Sequence, residues 1–142
     1  MLRSIHHVAI AVKDVDKAVE FYSKTLGLKV TDTIEQPDQK VKNVFMKLGD
    51  ASVELIAGLG PDNPVDKFIA KKGEGLYCLS IQVDDLDKTA KELEKKGMKV
   101  VDASPLPVRF LSPRDTFGVM IELLGPDWSP HRRAPASKPK GA

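Results

Sequence analysis

Four side chains in this 142-residue chain stand out among those able to hold a cation or to move a proton: His7, Glu54, Cys78 and Glu122. Glu54 and Glu122 each stand among β-favouring apolar neighbours, in Ser52-Val53-Glu54-Leu55-Ile56 and Val119-Met120-Ile121-Glu122-Leu123. A carboxylate buried there in its ionised form needs a positive partner, since desolvation otherwise neutralises it or unfolds the strand. That partner is either Lys or Arg, which makes structural ion pairs, or a divalent metal held together with His7. The plainer alternatives are a hydrogen-bonded histidine in a half-buried strand and two glutamates at solvated strand edges. The metal gains weight from an internal repeat, which sets ligand-type residues at symmetric places in both halves and puts Cys78 at the fourth.

The elements that must position these residues come from that repeat. Residues 7–30 read HVAIAVKDVDKAVEFYSKTLGLKV and residues 78–100 read CLSIQVDDLDKTAKELEKKGMKV. Each copy starts as an alternating apolar strand, passes closely spaced aspartates (Asp14 and Asp16; Asp84, Asp85 and Asp87), enters a helical pattern and stops at glycine (Gly27, Gly97). Val15, Ala18, Val19, Tyr22 and Leu26 recur at helical spacing in the first copy, and Leu86, Thr89, Ala90 and Leu93 in the second. Aspartate at the start and glycine at the end are helix caps. After each helix come about three further strands, and both halves end on Leu-Gly-Pro, at 59–61 and 124–126. Between the halves, Asn63-Pro64 through Lys72, closed by Gly73, predicts a short linker helix with Val65, Phe68 and Ile69 on one side.

One strand-helix-three-strand unit leaves a sheet face uncovered, so two copies should pair. The predicted fold is α+β: two tandem βαβββ modules forming a curled, half-open mixed sheet with helices outside. Residues 1–126 make a single domain, with modules at about 5–60 and 76–125, a linker helix at about 63–72, and a basic, Pro-rich tail over 127–142 whose start Trp128 could pin. Alternation sends Val8, Ile10 and Val12, with Leu79, Ile81 and Val83 of the second copy, toward the helices. The opposite faces, His7, Ala9, Ala11 and Cys78, Ser80, Gln82, are small or polar, as the lining of an occupied cleft should be.

Charge excludes some partners. The chain has 22 Lys plus Arg and 20 Asp plus Glu. Arg132, Arg133, Lys138 and Lys140 sit in the tail with the single acid Asp127, so the remainder carries 18 bases against 19 acids. A folded part with that balance offers no basic face to nucleic acid. No apolar run approaches the ~20 residues of a membrane span, and no signal-peptide pattern follows the first methionine. One cysteine forms no intramolecular disulfide, so a cytoplasmic setting is expected.

The chain resembles the vicinal oxygen chelate superfamily and, within it, the methylmalonyl-CoA epimerase branch. The resemblance runs to about residue 125. It rests on His7-Val8-Ala9-Ile10-Ala11-Val12 before the Asp-capped helix with Phe21-Tyr22, on Val53-Glu54-Leu55-Ile56, and on Asp62-Asn63-Pro64-Val65 with Lys67-Phe68. It continues through Gly73-Glu74-Gly75-Leu76, Val83-Asp84-Asp85-Leu86, Phe110-Leu111-Ser112-Pro113-Arg114 and Gly118-Val119 leading to Ile121-Glu122-Leu123. It implies a paired βαβββ fold, a homodimer, and one divalent ion (Co, Mn, Zn or Ni) held by His7, Glu54, the residue at 78 and Glu122. At 77–78 the family has a His-His pair and this chain has Tyr77-Cys78. A thiolate at Cys78 could complete the site with altered metal preference, or Cys78 and Tyr77 could be core filler.

The activity implied is epimerisation of methylmalonyl-CoA or a similar 2-substituted acyl-CoA, by α-proton abstraction through a metal-stabilised enolate, with Glu122 as one base. Some family members carry a glutamate near Lys42-Asn43-Val44, and neither Lys42 nor Asn43 is an obvious replacement. Lys71, Lys72, Arg109 and Arg114 are cations available to the phosphates of CoA; Arg109, between Val108 and Phe110, could instead partner Glu54 or Glu122. Ser112 stands where epimerase-like sequences often have His. The alternatives are a metal-poor small-molecule sequestering protein of the same fold, a glyoxalase-type lyase and, least favoured, an extradiol-type dioxygenase, whose iron needs a second histidine. His6, next to His7 on a strand, is expected to point away, and His131 lies in the tail.

Overall fold

A computed structural model describes residues 1–103 and 106–130. The elements in chain order are β1 (Leu2–Ala11), α1 (Val15–Glu20, continued by a π-helical segment Phe21–Thr25), β2 (Lys29–Gln36), β3 (Val41–Leu48), β4 (Ala51–Gly58), α2 (Pro64–Lys72), β5 (Gly75–Val83), α3 (Leu86–Lys95), β6 (Val100–Asp102), β7 (Val108–Leu111) and β8 (Ile121–Leu124). The hydrogen-bonded strand order is β2-β3-β4-β1-β5-β8-β7-β6, an open mixed sheet of eight strands. The expected strand-helix-three-strand unit therefore occurs twice, as β1α1β2β3β4 and β5α3β6β7β8. No helix among the described residues is long and apolar enough to cross a membrane. The chain divides into two compact units, residues 6–79 and residues 1–5 with 80 onward, so β1 and β5 each contribute to both.

In the 6–79 unit, Asp14 caps α1 by accepting from Lys17 N at 3.1 Å. The helix widens into π geometry at Phe21, where Leu26 N reaches back to Phe21 O, and it closes when Leu28 N donates to Tyr22 O across Gly27 at φ 80°. This widening turns Leu26 outward, leaving it 54% exposed although its spacing had suggested the core. Val15, Ala18, Val19 and Tyr22 pack on Ile10, Val12, Val44, Met46, Leu55 and Ala57, one face of the sheet.

The linker helix α2 forms where Asn63 and Pro64 predict it. Asn63 Oδ1 accepts from Asp66 N at 2.7 Å, and Pro64 occupies the first helical position, where no N–H is missed. Val65 and Ile69 of α2 cover Ala9, Ala11, Val41 and Ile56 on the other face, with Phe68, Tyr77 and Cys78 against them. Burial of the two side chains contributes roughly 1.5–3 kcal/mol each. Here the structure differs from the cleft lining expected for His7, Ala9 and Ala11. The two alanines are small because a helix lies on them, and only the His7 end of that face is polar.

In the other unit, Asp85 caps α3 through Lys88 N at 3.0 Å. Leu86 and Leu93 pack with Ile81, Val83, Leu111 and Leu123, and Thr89 and Ala90 are buried. Trp128 is buried, and its backbone N–H donates to Gly125 O at 3.2 Å at the start of the expected tail. The remainder of that tail, from 131 on with His131, lies outside the described residues.

Candidate active site

Pairing register gathers one polar cluster in the 6–79 unit. β1 lies parallel to β4 with Ala9 opposite Glu54, and β3 lies antiparallel to β4 with Phe45 opposite Glu54. Two residues along from each of these contacts, on the same face, are His7 and Asn43. All three polar side chains are fully buried, and Phe45 is nearly so. His7 Nε2 stands 3.3 Å from Glu54 Oε1, close in distance but without hydrogen-bond alignment. Asn43 Nδ2 donates to Glu54 Oε2 at 2.7 Å. The His7 ring meets Phe45 edge to face, with centroids 5.3 Å apart. A buried carboxylate thus has one oxygen clamped by a neutral amide and the other turned to an imidazole nitrogen.

Strand alternation sends His6 off the face opposite His7, yet the two rings meet. His6 Nδ1 lies 3.0 Å from His7 Nδ1, with the rings T-shaped and 5.2 Å apart. Nδ1 is a ring atom next to the one bonded to the side-chain methylene, so imidazoles leaving opposite faces can still meet around the strand. Burial lowers the His6 pKa from 6.5 to about 4, with His7 and then Lys47 adding to the shift. His6 is thereby kept neutral, with one ring nitrogen to donate and one to accept.

Glu122 belongs to the other unit. It is 2% exposed, and Ser80 Oγ on β5 donates to its Oε1 at 2.7 Å. The pattern of Glu54 and Asn43 is repeated: a buried glutamate held from a neighbouring strand by a short neutral side chain. Arg109, which could have met either glutamate, instead bonds Asp87 Oδ1 at 2.8 Å and approaches Asp102 at 3.5 Å, the residue directly opposite it on β6. Lys71 and Lys72 are exposed on the last turn of α2, with Lys72 Nζ 5.9 Å from the Phe68 ring centre. Cys78 is half-buried against the apolar cluster under α2.

Of the four residues expected to act together, the structure brings His7 and Glu54 within contact. Among the described residues, no three His, Cys, Asp or Glu side chains gather as a metal cluster. The His7–Glu54 pair itself fits a divalent ion. Two donors ~2.0–2.1 Å from one ion stand roughly 2.9–3.4 Å apart between octahedral and tetrahedral angles, and 3.3 Å falls in that interval. Sequence reasoning did not assign Asn43 a role beside Glu54. The signal was available, since Asn43 is an uncharged polar residue set between Val41 and Phe45 on one face of β3.

Residues 6–110 match the model of the glyoxalase/bleomycin resistance protein/dioxygenase superfamily. The human mitochondrial methylmalonyl-CoA epimerase is 37% identical over 129 residues, covering 86% of this chain and 73% of that protein. An ethylmalonyl-CoA/methylmalonyl-CoA epimerase of Cereibacter sphaeroides is 32% identical, with 87% of this chain and 98% of that one covered. Among solved structures, a variant of Streptomyces coelicolor methylmalonyl-CoA epimerase in complex with 2-nitronate-propionyl-CoA superposes with a TM-score of 0.80 at 30% identity, covering 90% of this chain and 100% of the other.

Proposed function

Because the chain belongs to the glyoxalase/bleomycin resistance protein/dioxygenase superfamily, and its relatives with curated activities include methylmalonyl-CoA epimerases matched over most of its length, we propose that it epimerises methylmalonyl-CoA or a closely similar 2-substituted malonyl-CoA. The observation that carries this reading is the buried His7–Glu54 pair, an imidazole nitrogen and a carboxyl oxygen 3.3 Å apart on one face of the sheet. It is what a substrate with a carboxylate and a thioester oxygen requires if a cation is to join it to the protein.

His7 and Glu54 would hold that ion, with Cys78 and Glu122 as the further ligands. A divalent ion supplies Lewis-acid polarisation of the thioester oxygen, which makes the α-hydrogen acidic enough for a carboxylate. Glu122 takes the α-proton: the C–H electrons move into the forming enolate, and the carboxylate becomes a carboxylic acid. A proton reaching the opposite face of the same carbon from solvent gives the epimer, and Glu122 then releases the abstracted proton to solvent. Ser80 holds Glu122 by Oε1 and orients it for this transfer. Asn43 does the same for Glu54 and keeps Oε1 turned to His7.

The test is exchange of the α-hydrogen of methylmalonyl-CoA in deuterated buffer, comparing wild type with Glu122→Gln and His7→Ala. Wild type should incorporate deuterium and both variants should lose at least a hundredfold in rate. Absence of exchange from reduced, metal-supplemented wild type refutes the reading. A stoichiometric metal that disappears on Cys78→Ala assigns the thiolate as a ligand. The second reading, a metal-poor binding protein of the same fold, draws on the seat of Cys78 against the apolar cluster under α2. It predicts binding of acyl-CoA without exchange.

A further inference from the structure

A neutral imidazole carries one N–H and one bare nitrogen, so the contact between His6 Nδ1 and His7 Nδ1 at 3.0 Å holds a single proton, owned by one ring or the other. Ownership of that proton decides what His7 shows on its far side. If His6 donates, His7 carries its proton on Nε2, toward the carboxylate of Glu54. If His7 donates, its Nε2 is a bare lone pair 3.3 Å from Glu54 Oε1, and two electron-rich atoms then face each other. The second arrangement is unfavourable alone and favourable with a cation between them. Both rings are held for this choice: His7 is fully buried with Phe45 at its edge, and Glu54 is clamped through its other oxygen by Asn43.

We propose that His6 is a positioning residue that sets the tautomer of His7, accepting the His7 Nδ1 proton so that Nε2 and Glu54 Oε1 can together take a divalent cation. Without the cation, His6 Nδ1–H donates to His7 Nδ1, and His7 carries its one ring proton on Nε2. On binding, His7 gives up the Nε2 proton to water and takes the shared proton on Nδ1, while half-buried His6 takes one from water on its own Nε2. One proton leaves and one returns, and neither ring changes charge. The inference rests on reading His7 and Glu54 as cation donors and not on the acyl substrate.

The experiment is long-range ¹H–¹⁵N NMR of the labelled full-length chain, without and with Zn²⁺, joined to calorimetric titration of Zn²⁺ into wild type, His6→Phe and His6→Gln. In wild type, His7 should pass from the Nε2–H to the Nδ1–H tautomer on addition of Zn²⁺, with His6 moving the opposite way. His6→Phe, which has no acceptor, should bind Zn²⁺ roughly 10–100-fold more weakly. His6→Gln, whose carbonyl accepts, should recover most of that loss, a rescue that a merely space-filling His6 would not give. A His7 that keeps Nε2–H in the Zn²⁺-bound chain, or a His6→Phe variant that folds and binds as wild type, overturns the proposal. Wild type that binds no Zn²⁺ overturns it as well, and the deuterium exchange above then decides separately whether the epimerase reading stands. Normal Zn²⁺-linked tautomer exchange with no α-hydrogen exchange upholds His6 and removes only the proposed activity.

Discussion

Replacing Asn43 by Leu should reveal how much of this fold's stability is tied to holding Glu54. The Asn43 Nδ2 to Glu54 Oε2 bond is 2.7 Å long, and neither side chain is exposed. A hydrogen bond to a charged acceptor is worth about 1.5–3 kcal/mol, and the oxygen left behind cannot reach water, so its desolvation adds to the loss. Leu has the same branched outline, which keeps the cavity term small. The expected cost is about 3 kcal/mol, or a fall in melting temperature of roughly 9–12 °C for a chain of this size. The direct readout is a double-mutant cycle in urea denaturation with Glu54→Leu. Removing both partners leaves no orphaned charge, so the double variant should be more stable than the sum of the single losses by about 2 kcal/mol. A coupling energy under ~0.5 kcal/mol would show that Asn43 and Glu54 merely lie side by side, and the clamp would have to be abandoned.

His6 has its pKa lowered from 6.5 to about 4 by burial, then by His7 and Lys47, so the unfolded chain takes up its proton first as pH falls. The stability held by neutral His6 is complete above pH 6.5 and is lost as the pH drops toward 4. After screening at this half-buried position that is about 1–2 kcal/mol, and His6→Gln should flatten the pH dependence of the urea midpoint. Gly58→Ala should cost about 2–3 kcal/mol by urea melts, because the added methyl falls on the amide of Asn63 and dislodges the cap of α2. Arg109→Ala should cost under ~1 kcal/mol, since Asp87 and Asp102 are exposed, and should leave the KM for acyl-CoA unchanged, in contrast with a phosphate-binding arginine.

What the residues disclosed in advance was local. The caps at Asp14, Asn63 and Asp85 accept from the backbone where their positions before apolar periodicity predicted, and each fixes a helix start. The repeat, with strand, helix and further strands in each copy, was legible for the same reason, because periodicity and turn chemistry are carried by neighbours in sequence. The errors arose where a distant segment decides. Ala9 and Ala11 look like a cleft lining until α2 lands on them. Leu26 looks like core until the helix widens at Phe21. The partner of Arg109 depends on which residue of β6 lies across from it, and the register supplies Asp102.

The same distinction explains why the chemistry of the glutamates was only half visible. Alternation put Glu54 and Glu122 among apolar neighbours, and desolvation demanded an answer to their charge. The expected answer was a cation from the protein or a metal. What the strands supply at the shortest contacts is an amide and a hydroxyl, Asn43 at 2.7 Å and Ser80 at 2.7 Å. A guanidinium there would satisfy the lone pairs and cancel the charge together, leaving nothing for a ligand. Neutral donors satisfy and orient one oxygen without cancelling the charge of an ionised carboxylate. Arg109 is meanwhile drawn away by Asp87 and Asp102. Glutamates held in this way are what the proposed cation site calls for, since neutral donors leave one oxygen of each to a ligand.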